Sequence, residues 1–223
     1  RWVSEGETVE SLSLDAARQA IAHAGLTPSD IDAVIISTIS HLVQTPSLAA
    51  IVAAKIGCTD AAAFDIAAAC AGFCYGLAQA ESLVRSGAAT HVVVIGAETL
   101  SKLTDHHDRS TAFLFADAAG AAVVGPSETP AMSPVVWGSD GHQADVIQMT
   151  RTWSEAVDEG KPSQVAMAGQ QVFRWATGFI ADATSRILEA SGLAPDELDL
   201  FVPHQANNRI TDAMLRHLKL PET

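Results

Sequence analysis

Cysteine is scarce in this 223-residue sequence: there are three, an odd number, with no C-x-x-C pair. That argues against a disulfide framework or a zinc ribbon and leaves Cys58 and Cys74 to be read as packing residues. Positive charge is short as well. Lys and Arg number 13 against 26 Asp and Glu, for a net charge of −13, and no basic patch interrupts the imbalance. Nucleic-acid binding needs such a patch, so that class is set aside. No stretch reaches the roughly 18 uninterrupted apolar residues of a membrane span. The opening residues Arg1, Trp2, Val3, Ser4 and Glu5 lack the charged-then-apolar order of a secretory leader, so the expected location is the cytoplasm. Apolar residues are plentiful, 48% of the chain against 17% charged, enough to bury a core in one large domain or two small ones.

An internal repeat organises the chain. Asp15–Asp32 (DAARQAIAHAGLTPSDID) and Asp182–Asp199 (DATSRILEASGLAPDELD) align without gaps at an offset of 167, with Asp, Ala, Gly, Leu, Pro and Asp matched in register. Each copy reads helix, turn, strand. Gly25 and Gly192 stand where a helix ends on a left-handed residue, and Pro28 and Pro195 follow because proline cannot continue a helix. The strands expected next are Ala33–Ile36 and Leu200–Pro203, apolar throughout, as in strands buried on two faces. Other expected strands are His91–Ile95 and Ala121–Val124, and expected helices are Pro46–Ile56, Gly72–Ser86 and Val172–Ala190. Alternation plus duplication predicts two similar α/β halves, residues 1–126 and 127–223.

Two residues are placed for chemistry. Cys70 lies where the strand-like run from Phe64 gives way to the helix-like run opening Ala71, Gly72, Phe73. A thiol at a helix start is near unpaired N–H groups and the positive dipole end, which favour thiolate and stabilise a neighbouring oxyanion. The competing reading is a buried structural cysteine. His204 follows the second repeat's strand directly, in Pro203, His204, Gln205, Ala206, Asn207, and ligand and catalytic groups of α/β folds collect at strand carboxyl ends. A lone histidine is more often structural, but the other seven lie on expected surfaces or in loops.

The segments FDIAAACAGFCYGL (Phe64–Leu77), DRSTAFLFADAAGAAVV (Asp108–Val124) and FVPHQANNRI (Phe201–Ile210) resemble β-ketoacyl-acyl-carrier-protein synthase III, of the thiolase-fold condensing enzymes. The resemblance runs from end to end. It implies a five-layer αβαβα fold of two pseudo-symmetric halves, both incomplete here, a cytoplasmic homodimer, and neither metal nor cofactor, coenzyme A thioester being a substrate. It makes Cys70 the nucleophile that takes an acyl group from acyl-coenzyme A. His204 then assists decarboxylation of malonyl-acyl carrier protein and stabilises the enolate that attacks the thioester. Arg109, Gln170, Phe173, Ala206 and Asn207 fall at positions similar to the family's coenzyme A contacts, with Gln170 where many relatives carry Asn. The resemblance places carrier-protein contacts near Arg209 and Arg216, seven apart on one helix face, with Lys219 close by and Arg174 from another helix. Thr45 stands where many relatives have a large Phe that helps to close the acyl pocket from the partner subunit, which predicts room for longer or branched primers.

Ala116 and Ala118 replace glycines in a segment that many relatives write F-G-D-G-A-G-A, so any positive-φ turn there is expected to have moved to Gly120 or relaxed. Relatives also carry an earlier first strand and a later H-G-N segment whose Asn is a third catalytic residue, so the chain reads as the middle of a longer enzyme. The alternatives are a polyketide-priming or acyl-transferring synthase of the same fold, and a non-catalytic partner subunit, against which retention of Cys70 and His204 argues.

Overall fold

The computed structural model describes residues 2–129 and 131–218. The chain forms two compact units, Arg1–Lys102 with Ala116–Pro130 and Leu103–Phe115 with Ala131–Thr223.

In the first unit four strands form a mixed sheet in the order β2-β1-β3-β4, where β1 is Ala33–Ser37, β2 Ala62–Ile66, β3 Val92–Thr99 and β4 Asp117–Val124. β1 runs parallel to both neighbours, and β4 closes one edge antiparallel to β3. Side chains alternate across a strand, so β1 and β3 serve two cores. Val34, Ile36, Val93 and Ile95 pack beneath α1 (Val9–His23) and α2 (Leu48–Ile56), while Ala33, Ile35, Val92 and Val94 face α3 (Gly72–Ser86). This is why β1 is apolar at every core position: it is covered on both faces. Helix α1 buries every fourth residue, Val9, Ser13, Ala17 and Ile21, and starts on a Thr8–Ser11 capping box.

Helix α3 meets the sheet through its smallest residues. Gly72, Gly76 and Ala80 are its buried stripe, one turn apart. A Cβ on Gly72 would stand 1.8 Å from the Ser37 hydroxyl oxygen, and one on Gly76 would stand 2.7 Å from a Val94 methyl. Phe73 lies on Gly96, the register partner of Ser37. The first turn of α3 is therefore seated on a single cross-strand pair, at a height that only glycine permits.

In the second unit β5 (Ile147–Met149) and β6 (Val165–Met167) pair antiparallel, with α4 (Trp153–Glu159) between them in sequence. Helices α5 (Gly169–Ser191) and α6 (Asn208–Leu218) pack through Ala176, Ile210 and Met214, joined by Phe201.

The repeat is visible in the backbone. Gly25 and Gly192 have φ of 70° and 67°, and the following N–H groups, of Leu26 and Leu193, reach back to Ile21 and Leu188 carbonyls in the same closure. Pro28–Asp30 and Pro195–Glu197 then make matching 3₁₀ turns. Beyond them the copies diverge. Ala33–Ser37 becomes β1, but Leu200–Pro203 forms no strand: Leu200 is 76% and Val202 68% exposed. β1 is held between β2 and β3, whereas the second segment has no ladder partner among the described residues. Of the two outcomes expected around Gly120 the relaxed one holds: residues 117–124 run straight through as β4 with no positive φ. One smaller expectation is corrected. Cys58 is buried, but Cys74 is exposed on α3 rather than packed.

Candidate active site

In the first unit Cys70 belongs not to the first turn of α3 but to a separate 3₁₀ turn, Ala69–Ala71, between β2 and the helix. Ala69 has φ +44°, the left-handed region, and among the described residues no other non-glycine does so. Such a conformation costs an alanine about 1–3 kcal/mol and persists only when its surroundings over-determine it. Here they do: β2 fixes one end of the turn by its parallel pairing with β1, and Gly72 fixes the other against Ser37. Cys70 is exposed on this turn.

The thiolate expected from a helix start is not what this environment favours. Desolvation by neighbouring protein atoms pushes the Cys70 pKa up, the Glu98 carboxylate adds to the rise, and the residue's own backbone N–H only partly offsets it. Cys70 rests as a thiol. Above the sheet ends, Thr38 donates its N–H to the Ile66 carbonyl at 3.2 Å, tying the segment after β1 to the end of β2. Thr45 lies farther along that segment, exposed, before α2. The Asp65 carboxylate caps α2 by accepting from the Leu48 and Ala49 N–H groups at 2.7 and 2.8 Å.

In the second unit His204 stands in the extended stretch before α6, open to solvent on one side. Desolvation on the other lowers its pKa, so the ring is neutral at physiological pH and can both donate and accept a hydrogen bond. Asn207 precedes α6: its Oδ1 accepts from the Arg209 N–H at 2.9 Å and its carbonyl from the Ile210 and Thr211 N–H groups, leaving its amide NH₂ to donate outward. Gln170 and Phe173 lie three apart on the first turn of α5, both exposed, and Ala206 is half-buried. Arg109 is presented by an Asp108 turn, whose carboxylate accepts from the Ser110 N–H at 2.8 Å and from the Ser110 and Thr111 hydroxyls.

The basic residues divide into two groups. Arg18, Lys55, Arg85, Arg151, Lys161 and Arg186 each pair with a carboxylate. Lys102, Arg109, Arg174, Arg209 and Arg216 are exposed and have no ion pair among the described residues. Lys219, expected beside Arg216, lies outside the described residues. Two features escaped the sequence: Ala69, because a run of alanines carries no sign of a left-handed turn, and Glu98, whose partners lie about sixty residues earlier. Among the described residues no group of His, Cys, Asp and Glu is arranged to hold a metal, and no helix is long and apolar enough to cross a membrane.

Residues 64–141 match the family described as 3-oxoacyl-[acyl-carrier-protein (ACP)] synthase III, and residues 188–223 match its C-terminal region. Cys70 and Arg109 fall in the first range; His204, Ala206, Asn207, Arg209 and Arg216 fall in the second. Over 224 residues the chain is 49% identical to a β-ketoacyl-[acyl-carrier-protein] synthase III of Streptomyces glaucescens, covering 100% of this chain and 67% of that protein. Among solved structures, the priming β-ketosynthase of the R1128 polyketide biosynthetic pathway superposes with a TM-score of 0.97 at 42% identity, covering 100% of this chain and 67% of the other. A β-ketoacyl-[acyl-carrier-protein] synthase III from Thermus thermophilus gives 0.90 at 38% identity, covering 99% and 69%.

Proposed function

We propose a reaction from one premise, that the chain belongs to the 3-oxoacyl-[acyl-carrier-protein] synthase III family, acyltransferases that condense acyl groups in fatty-acid biosynthesis. Cys70 is its nucleophile and His204 its enolate-stabilising donor. In the first half-reaction the Cys70 sulfur, giving up its proton, attacks the thioester carbonyl of acyl-coenzyme A. The tetrahedral intermediate collapses with loss of the coenzyme A thiolate, which takes up a proton, and leaves an acyl-cysteine. In the second, malonyl-acyl carrier protein loses CO₂, and neutral His204 donates to the thioester oxygen as the enolate forms. The enolate carbon attacks the acyl-cysteine carbonyl, the C–S bond breaks, and 3-oxoacyl-carrier protein leaves while Cys70 regains a proton.

What carries this reading is the cysteine turn: Ala69 is held in a costly left-handed conformation directly before an exposed cysteine. His204, neutral by desolvation, suits a donor that must not carry a fixed charge before the enolate appears. Arg109, Gln170, Phe173, Ala206 and Asn207 are assigned to coenzyme A. The guanidiniums of Arg174, Arg209 and Arg216, exposed and without an ion pair among the described residues, are assigned to the acidic carrier protein. The working form is a cytoplasmic homodimer of five-layer αβαβα protomers, with halves at residues 1–126 and 127–223. To test the assignment, the protein is mixed with a short acyl-coenzyme A and mapped by intact and peptide mass. The acyl adduct is expected on Cys70; an adduct on Cys74 with Cys70 free overturns it.

A polyketide-priming role is the second reading, favoured by the likeness to the R1128 priming enzyme and by Thr45, a small residue in the segment assigned to the primer pocket. Acceptance of longer or branched primers, lost in Thr45→Phe, supports it; unchanged chain-length preference in that variant counts against it.

A further inference from the structure

Glu98 is the penultimate residue of β3, half-buried, opposite Ala118 of β4. Both carboxylate oxygens turn toward the segment after β1. Oε1 accepts from the Ile39 N–H at 3.0 Å, and Oε2 accepts from the Thr38 hydroxyl at 3.3 Å and from the Ser40 hydroxyl. The hydroxyls also accept: Thr38 Oγ1 from the Ser40 N–H at 3.2 Å, and Ser40 Oγ from the Thr99 N–H at 2.8 Å. Thr38, Ser40 and Thr99 are all buried. The result is a closed polar knot at the carboxyl ends of β1 and β3, with one carboxylate as its only charged member.

That knot sits at one end of the loop 41–47, whose other end is held by Asp65 at the start of α2. Both clamps come from strands of the nucleophile's own sheet, and Asp65 is five residues before Cys70. Between them the loop is exposed, with Leu42 at 46% and Thr45 at its far end. A half-buried carboxylate that accepts three hydrogen bonds from one short segment immobilises it far better than neutral contacts do.

We propose that Glu98 is a positioning residue for priming: by gripping Thr38, Ile39 and Ser40 it holds in place the loop that carries Thr45, the residue assigned to the acyl pocket of the partner subunit. The assignment rests on the synthase reading for its step, but not for its geometry. Glu98 touches neither the thiol nor a substrate; it acts through the loop, and its charge is additionally felt at the thiol, where it opposes thiolate formation.

These two effects have opposite signs, which makes the proposal testable. In the full enzyme, priming by a short acyl-coenzyme A is followed as the mass shift on Cys70, and alkylation of Cys70 by iodoacetamide is followed separately. In Glu98→Ala, priming is expected to fall about 10²-fold, the scale of a small misplacement in an assembled site. Alkylation at neutral pH is expected to rise about threefold as the opposing charge is removed. Chymotryptic cleavage after Leu42 should accelerate. Glu98→Gln keeps an acceptor for the Ile39 N–H, so alkylation rises likewise while priming falls less than about tenfold; this variant decides the matter if Glu98→Ala does not fold. Priming at the wild-type rate in Glu98→Ala, or a parallel fall of priming and alkylation in both variants, overturns the proposal. If the wild-type protein accepts no acyl group the synthase reading falls instead, and the positioning role then stands or falls on whether Leu42 cleavage changes.

Discussion

The two copies of the repeat follow one path through the eighteen residues of the repeat and then separate. After Asp32 the chain enters the centre of a sheet and leaves it at the Thr38–Ser40 knot; after Asp199 it runs extended and unpaired to His204. Helix end, left-handed glycine and proline turn are local: their hydrogen bonds close within five residues, so each copy builds them without help. A strand is not local. β1 exists because β2 and β3 supply a ladder on each side and α1, α2 and α3 supply two faces. Phe201 finds a packing partner in α5 and α6, but its neighbours Leu200 and Val202 stay largely exposed among the described residues. Identical grammar thus yields a rigid seat near the nucleophile and an open one before the histidine.

The comparison is broken most directly at its matched positions, Ile35 and Val202, which the repeat offset superimposes. Ile35 is 0% exposed, so Ile35→Ala should cost about 2–5 kcal/mol, whereas Val202→Ala at 68% exposure should stay within about 0.5 kcal/mol. Chemical denaturation of each variant measures both; equal losses would show that Leu200–Pro203 is packed in solution as β1 is. Helix seating gives the next contrast. Gly72→Ala drives a methyl to 1.8 Å from Ser37 Oγ and should cost about 3 kcal/mol, while Gly178→Ala on α5 meets open space and should gain up to about 1 kcal/mol. Thermal melting separates the two. A smaller and more pointed effect is expected at the cysteine turn. Ala69→Gly removes the cost of a left-handed alanine, so stability rises by about 1 kcal/mol while priming of Cys70 slows, because the turn gains other conformations. A rise in both would separate strain from display.

The pH dependence sharpens the same contrast without mutation. The Cys70 pKa is raised, so its alkylation should keep increasing with pH beyond the range where an ordinary thiol has levelled off. The His204 pKa is lowered, so the neutral ring survives acidification past the usual histidine value, and condensation should hold until the pH falls below it. An acid limb at the ordinary imidazole value would mean that His204 is as solvated as a surface histidine.

The parts of the molecule legible from sequence are those whose causes are near in sequence. Gly72–Ser86 is the helix its pattern predicts, and Gly25 and Gly192 close helices as their position before Leu and Pro requires. Cys70 and His204 could be singled out because short motifs surround each. Ala69 could not, since its conformation is imposed by β2 and by the seating of Gly72 rather than by its own side chain. Nor could Glu98, which becomes significant only when β1 and β3 are parallel neighbours and residues 38–40 arrive beside it. The same dependence on distant partners explains why Leu200–Pro203, apolar throughout, is not a strand.

If the proposed carrier-protein assignment holds, the guanidiniums of Arg174, Arg209 and Arg216, which have no ion pair among the described residues, have a kinetic consequence when set against a net charge of −13. An acidic carrier approaching from afar meets the sum of the charges and is repelled; within about 8 Å, the Debye length at physiological salt, it meets the local cations instead. Dissolved ions screen the distant repulsion before they weaken the close attraction. The rate of encounter should therefore climb as salt is first added to a dilute buffer, pass through a maximum, and fall as docking itself is screened.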